Sequence, residues 1–130
     1  MNLSKEKLRQ IFGFLIAGIS GFLLEYAIIY YLVLIFEVNA IAPRFLSFPL
    51  AVLLTWYINR RLTFNKQTPP NLPELIRFIK STALAQAANF LSYSIILINV
   101  TYISALIALL IASIISINVS FFLYLKYVFK

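Results

Sequence analysis

The sequence contains neither cysteine nor histidine among its 130 residues. Their absence excludes disulfides, Cys/His zinc sites, thiolate nucleophiles and imidazole general bases. Carboxylates are also scarce and lie far apart: Glu6, Glu25, Glu37 and Glu74. A paired-carboxylate acid/base site would have to be assembled from separate segments. We therefore expect no enzymatic activity, no catalytic residues, no metal site and no cofactor.

Charged residues are also few, and this distinguishes the sequence from those of soluble proteins. Charged residues make up 12% and hydrophobic residues 62% of the sequence, whereas globular domains average about 25% and 45–50%. The mean hydropathy is +0.93. The apolar residues would fill roughly four membrane spans of ~20 residues. We predict an all-α membrane protein with four transmembrane helices, short loops and no separate soluble catalytic domain.

Long apolar runs and their polar interruptions give the span boundaries. The whole chain, 1–130, is predicted to be one transmembrane domain with spans at about 11–36, 42–58, 76–99 and 102–125 and a cytoplasmic loop at 59–75. The first run exceeds the 7 to 15 apolar residues of a signal peptide, so we expect it to stay uncleaved. Asn71, followed three residues later by Glu74, predicts a helix N-cap and a third helix beginning at about Leu72.

Basic residues are strongly biased to one side of the predicted spans. Ten of the eleven flank the termini or the central loop, and Arg44 alone lies opposite. The positive-inside rule then places both termini and this loop in the cytoplasm. We expect the protein to lie in the cytoplasmic membrane. A small multidrug exporter with dual topology requires a weak charge bias, so the strong bias of this sequence argues against that class of protein. The net charge of +7 also favours anionic membrane lipid over nucleic acid as a partner.

The two halves of the sequence resemble each other. An offset of 64 places Glu25 over Asn89, and an offset of 65 places Trp56 over Phe121 and Arg61 over Lys126. A duplicated helical hairpin is the simplest explanation. Because each predicted hairpin leaves and re-enters the cytoplasmic side, the repeats would be parallel, related by an axis along the membrane normal.

The most specific motif is Asn59-Arg60-Arg61-Leu62-Thr63-Phe64 at the end of the second span, with a weaker copy, Lys126-Tyr127-Val128-Phe129, at the end of the fourth. Together with basic residues before a Phe-containing first span and an acidic residue midway along it, these motifs resemble the GtrA-like family. Tyr124 stands where the pattern would repeat Asn59.

This resemblance implies a small four-span protein that flips a polyprenyl-phosphate-linked monosaccharide across the membrane for cell-surface polysaccharide glycosylation. The alternative is an anchor or scaffold for a polyprenyl-phosphate glycosyltransferase, without transport. Since four spans enclose little volume, we also expect a homo-oligomer.

Glu25 and Arg44 are the clearest candidates for a site inside the membrane, where an ionisable group costs several kcal/mol unless it is paired or hydrated. At 1.5 Å per helical residue they lie at similar depths, about 21 and 24 Å from the cytoplasmic side. One interpretation is a buried ion pair that serves packing alone. In the other, Arg44 contacts the lipid phosphate or sugar while Glu25 orients it or accepts from sugar hydroxyls. Gly18 and Gly21, on the same face as Glu25, would let another helix approach closely.

Polar residues on the later spans and at the cytoplasmic end complete the candidate substrate-binding set. Gln86 and Asn89 favour a polar cleft, whereas the serines of the fourth span favour hydrogen bonds between helices. Arg60, Arg61, Lys80 and Lys126 are interpreted either as topology anchors or as a phosphate clamp to which Asn59 adds a donor.

Overall fold

In the computed structural model, residues 4–39 and 41–130 are described, and every regular element among them is helical. Four α-helices follow one another: α1 (Lys5–Phe36), α2 (Arg44–Ile58), α3 (Leu72–Asn99) and α4 (Ala105–Leu123). Helices α2 and α4 each continue directly into a five-residue π-helix, π1 (Asn59–Thr63) and π2 (Tyr124–Val128). Two compact units result, Met1–Thr68 and Pro69–Lys130.

Three helical segments of the described chain are long and apolar enough to cross a membrane: Lys5–Phe36, Leu72–Asn99 and Ala105–Val128. Their outward faces carry many large, exposed apolar side chains. Contiguous apolar surface of this extent is rare on a soluble monomer and suits contact with lipid or with other helices. Helix α2 has 15 residues, so its status as a fourth span remains a prediction.

Side-chain caps fix where the helices begin. The Asn71 side chain accepts a hydrogen bond from the Glu74 amide at 2.9 Å, and α3 begins at Leu72. This confirms the predicted N-cap. Ser104 caps α4 in the same way by accepting from the Ile107 amide at 3.3 Å. These caps satisfy backbone donors that the first helical turn leaves unpaired.

The loop between the units is shorter than the predicted 59–75. Helical structure continues to Thr63 because π1 keeps its backbone paired, with the Phe64 amide donating to the Asn59 carbonyl at 3.0 Å. At the other end α3 already includes Pro73, which the first helical turn tolerates because an amide there needs no helical partner. The connection without helix therefore covers only residues 64–71.

In the first unit, α1 and α2 pack antiparallel through small side chains. Gly13, Ala17 and Gly21 form the buried face of α1. A Cβ on Gly13 would lie 2.7 Å from the Thr63 backbone nitrogen, and one on Gly21 would meet the Thr55 hydroxyl. Such close approach is what small residues allow between helices.

Gly18 does not share this role. A Cβ placed there meets no atom of the described residues within 4 Å, so of the two glycines expected to permit close approach only Gly21 does so. The reason is rotational: Gly13, Ala17 and Gly21 recur every four residues along one face, and Gly18 lies one residue off that row.

In the second unit, α3 packs against α4 and π2. Small buried residues line the middle of the hairpin, including Ala85 on α3 and Ala112 on α4. An aromatic cluster fills the π2 end, where the Phe78 ring lies 4.6 Å from the Tyr124 ring and 6.3 Å from the Phe129 ring, centroid to centroid. Aromatic rings at these separations add to the stability gained from burial.

Equivalent positions are buried in each of the two units, at the same spacing as the repeat found in the sequence. The two π-helices begin 65 residues apart, at Asn59 and Tyr124. Residues 65 positions apart are buried in both units: Ser47 and Ala112, Ala51 and Ser116, Asn59 and Tyr124, Thr63 and Val128. Descent of both hairpins from one duplicated ancestor remains a prediction that this spacing supports.

Candidate functional site

An ion pair joins α1 to the start of α2. The turn before α2 is fixed by the Asn39 side chain, which accepts from the backbone amides of Ile41 and Ala42 at 3.0 Å. Arg44 is the first residue of α2, and its Nη2 lies 3.2 Å from the Glu25 Oε1. The pairing expected from their similar depth is therefore present.

This pair is only half enclosed. The Arg44 side chain is 62% exposed and that of Glu25 22% exposed. The Glu25 Oε1 is itself buried and makes no hydrogen bond to any described residue, so the contact is an ion pair without hydrogen-bond alignment. Since a guanidinium has five N–H donors, most of those on Arg44 remain available to a second anion. The fully buried pair that packing alone would favour is not what the structure has.

Apolar grooves lie on the surface of the first unit, and one of them reaches this pair. One of about 310 Å³ has Arg44 itself in its wall, with Ile41, Phe45, Phe48 and Pro49. The other, of about 470 Å³, lies between α1 and α2 and is lined by Ala27, Ile28, Tyr31, Leu32, Leu46 and Leu50. The exposed guanidinium thus adjoins surfaces suited to a hydrocarbon chain, an arrangement that fits an amphiphile with an anionic head.

Sequence reasoning missed Ser47 as part of this region. Ser47 is completely buried, and its hydroxyl has no hydrogen-bond partner among the residues that the structure describes. It follows Arg44 by three residues and therefore lies one helical turn further along the same face of α2. That spacing was the available signal, although a serine inside an apolar span is usually satisfied by its own helix.

At the other end of the hairpin, Arg60 is fully buried in π1. Its Nη1 donates to the Lys66 carbonyl at 3.3 Å and its Nη2 to the Thr68 hydroxyl at 2.9 Å. The Lys66 amide in turn donates to the Arg60 carbonyl at 2.9 Å. Arg60 therefore holds the chain that follows π1, a role the positive-inside rule does not reveal.

The two neighbours of Arg60 differ from each other in exposure. Arg61 is exposed, with its guanidinium 5.8 Å from the centre of the Tyr57 ring. Asn59 is 1% exposed and accepts from the Thr63 hydroxyl at 2.8 Å, while its Nδ2 has no partner in the described part of the chain. Of the two arginines, Arg61 is the one positioned to meet a phosphate from outside.

We predict that the two arginines respond differently to removal of charge. Arg60→Gln should lower the free energy of unfolding by about 2–3 kcal/mol, because hydrogen bonds from a charged group contribute about 1.5–3 kcal/mol and Gln cannot reach both partners. Arg61→Gln, on an exposed site, serves as the matched control and should change it by less than about 0.5 kcal/mol. Unfolding in detergent measures both. Equal stability of the two variants would contradict the assigned role of Arg60.

In the second unit, polar side chains of the spans mostly satisfy one another. The Asn89 Nδ2 donates to the Ser113 hydroxyl at 3.5 Å, and the Ser116 hydroxyl donates to the Ala85 carbonyl at 2.8 Å. The hydroxyls of Thr82 and Tyr124 are 2.8 Å apart. The interhelical hydrogen bonding expected of the fourth-span serines is confirmed for Ser113 and Ser116.

The other predicted site residues of this unit, Gln86, Lys80 and Lys126, are all exposed. The structure thus brings together Glu25 with Arg44 at one end of the first unit and Asn59, Arg60 and Arg61 at the other. A phosphate clamp combining these arginines with lysines of the second unit remains a prediction.

The family model of the GtrA/DPMS transmembrane domain matches residues 13–129, a range that includes every candidate residue above. The chain belongs to this family. No curated protein matched the sequence. Membership in the GtrA/DPMS family, together with the long apolar helices, makes this a multi-pass membrane protein. Membership also fits a role in handling polyprenyl-phosphate-linked sugars, and proteins of this family are generally non-catalytic.

Proposed function

We propose that this GtrA/DPMS-family protein binds a polyprenyl-phosphate-linked monosaccharide and moves it across the cytoplasmic membrane for cell-surface polysaccharide glycosylation. The observation that carries the proposal is the half-open pair of Glu25 and Arg44, with Arg44 in the wall of an apolar groove. Membership of the family supports the class of lipid.

The chemistry of the pair suits such a ligand. Phosphate oxygens accept two parallel hydrogen bonds from a guanidinium, so a lipid phosphate can replace the single Glu25 contact on Arg44. The carboxylate, once released, is an acceptor for sugar hydroxyls. Before the ligand arrives, the pair lowers the cost of holding either charge inside the membrane. The polyprenyl chain would lie along the apolar grooves or in the surrounding lipid.

For the membrane arrangement, we infer four spans, with both termini and the loop at 64–71 in the cytoplasm. Helix α2 and π1 together run from residue 44 to residue 63, about the twenty residues that a span requires. Ten of the eleven basic residues lie on the inferred cytoplasmic side. Two hairpins with the same orientation follow from this placement.

Cysteine labelling tests this topology directly, because the chain has no cysteine of its own. Pro70→Cys is preferable to a change at Thr68, whose hydroxyl accepts from Arg60. We expect Pro70→Cys to react with an impermeant maleimide only from the cytoplasmic side and Thr101→Cys only from the opposite side. Labelling of both positions from one side would contradict the topology and the parallel repeat with it.

The second candidate function is that of an anchor or scaffold for a polyprenyl-phosphate glycosyltransferase. The segment held by Arg60 favours it, because a fixed loop offers a partner a defined surface at a lower cost in conformational entropy. In either function we expect the chemistry of glycosyl transfer to be carried out by another protein. A homo-oligomer would enlarge the surface available to the lipid.

A binding experiment separates the two functions. Detergent-purified protein would be titrated with a radiolabelled polyprenyl-phospho-monosaccharide. The proposed function requires saturable binding that Arg44→Gln weakens by about tenfold, since replacing charge-assisted by neutral hydrogen bonds costs about 1.4 kcal/mol. Lys130→Gln, an exposed change of the same charge at the far end of the chain, is the control and should bind as the wild type does. A protein that only anchors a partner would show no saturable binding.

A further inference from the structure

An exposed row of aromatic rings runs along α1. Phe22, Tyr26 and Tyr30 follow one another every four residues, with ring centroids 6.4 and 5.9 Å apart and planes within 23° and 20° of parallel. The three residues are 67%, 59% and 57% exposed. We call this row the aromatic strip. It lies off the row of small residues that packs against α2.

The depth of the strip sets it apart from an ordinary aromatic belt at the membrane surface. Tyr26 precedes the end of α1 at Phe36 by ten residues, which corresponds to about 15 Å along the helix. Belt residues lie at the headgroup level, which suits Tyr30 but not Phe22 or Tyr26. A phenol at this depth needs a hydrogen-bond partner, because lipid tails supply none. The Tyr26 hydroxyl has none among the residues described.

The strip adjoins the ion pair. Tyr26 is the residue after Glu25, and Phe22 precedes Glu25 by three, so these rings and the carboxylate that pairs with Arg44 lie within the same two turns of α1. At this level the buried Glu25 Oε1 has no hydrogen-bond partner in the described chain, and the Tyr26 side chain is 59% exposed, so its hydroxyl is accessible to a ligand. A ligand that satisfies both while covering the rings must have apolar faces and several hydroxyls.

We propose that the aromatic strip is the subsite for the sugar ring of the lipid-linked monosaccharide, an inference that rests on the proposed function. The C–H face of a pyranose packs on the π-face of the rings, which carries partial negative charge. Glu25 and the Tyr26 hydroxyl bind sugar hydroxyls, and Arg44 binds the phosphate. The strip thus makes the protein select glycosylated over bare polyprenyl phosphate.

Other occupants fit the strip less well. A second helix packs best where small residues let backbones approach, and three adjacent aromatic rings prevent that. A lipid tail gains nothing from the hydroxyls of Tyr26 and Tyr30. Only a polyhydroxylated ring uses both the rings and the hydroxyls.

The test compares two ligands on one protein. Wild-type protein in detergent is titrated with polyprenyl-phospho-monosaccharide and with bare polyprenyl phosphate of the same chain length. We expect the glycosylated lipid to bind on the order of tenfold more tightly. The triple variant Phe22→Leu, Tyr26→Leu, Tyr30→Leu should bind bare polyprenyl phosphate unchanged and lose the preference. Tyr26→Phe, which keeps the ring and removes the hydroxyl, should retain part of it.

Phe90→Leu is the matched control, because Phe90 is 68% exposed on α3 in the other unit. It should keep the full preference. A wild type that binds both lipids equally, or a triple variant that keeps the preference, overturns the sugar subsite and leaves the proposed function standing. A triple variant that changes oligomeric state in light scattering while keeping the preference assigns the strip to helix packing. A wild type that binds neither lipid refutes the proposed function and the subsite together.

Discussion

Replacing Glu25 and Arg44 together by leucine is expected to leave the protein folded and to abolish transfer of the lipid-linked sugar. Removing both partners of an ion pair in an apolar setting is often neutral or stabilising, because no charge remains to be desolvated. The midpoint of thermal unfolding should therefore stay within a few degrees of the wild type. Transfer should fall to the rate of protein-free vesicles, since the phosphate loses its guanidinium and the sugar its carboxylate.

The single variant Glu25→Gln shows the effect of removing one partner of the pair. Glu25→Gln leaves the Arg44 guanidinium without its counter-charge inside the membrane, which costs stability as well as transfer. Asn118→Leu is a suitable control for the double-leucine variant, because it replaces an exposed polar residue of a span by leucine. It should transfer normally, since the Asn118 amide donates to the Ile114 carbonyl of its own helix. A double-leucine protein that is folded and active would show that the pair serves packing alone.

Gly13→Ala is expected to destabilise the first unit by an amount comparable to that of Arg60→Gln. The added methyl group would lie 2.7 Å from the Thr63 nitrogen and 2.8 Å from its Cα. Backbone atoms cannot rotate away as a side chain can, so α1 and π1 must separate. Over-packing of this kind costs about 1–3 kcal/mol, and separation would also disturb the buried hydrogen bond between Thr63 and Asn59.

Gly18→Ala provides the control on the same helix. In the part of the chain that the structure describes, no atom lies within 4 Å of a Cβ at position 18, and alanine has a higher helix propensity than glycine. This variant should be as stable as the wild type or slightly more so in chemical unfolding from detergent. If Gly13→Ala proved equally benign, the close packing of α1 on π1 would be wrong.

Much of the fold followed from local patterns that physical chemistry fixes early. Apolar runs of span length predicted the long helices, and the Asn71 cap predicted the beginning of α3. The pairing of Glu25 with Arg44 followed from helical rise, which places both residues at similar depth, and from the cost of an unpaired charge in the membrane. These features depend on length, periodicity and capping, which a single sequence displays.

The π-helices and the burial of Arg60 could not be predicted in this way. A π-helix changes the hydrogen bond from the fourth to the fifth residue, as between Phe64 and Asn59, without changing the hydrophobic pattern. Arg60 and Arg61 are adjacent residues of the same type, so the sequence does not show which of them is buried. Arg60 is buried because the chain after π1 places the Lys66 carbonyl and the Thr68 hydroxyl within reach of its guanidinium. Similarly, Gly18 and Gly21 both permit close packing, and the rotation of α1 against α2 selects Gly21.

Leaflet transfer by the wild-type protein tests the central claim most directly. Purified protein would be reconstituted into unilamellar vesicles that contain a polyprenyl-phospho-monosaccharide with a fluorophore on the sugar, and an impermeant reductant would then quench the accessible label. We predict that wild-type vesicles lose nearly all fluorescence, whereas protein-free and double-leucine vesicles lose only the share in the outer leaflet. If wild-type vesicles behaved like protein-free ones while the protein still bound the lipid, transport would be refuted.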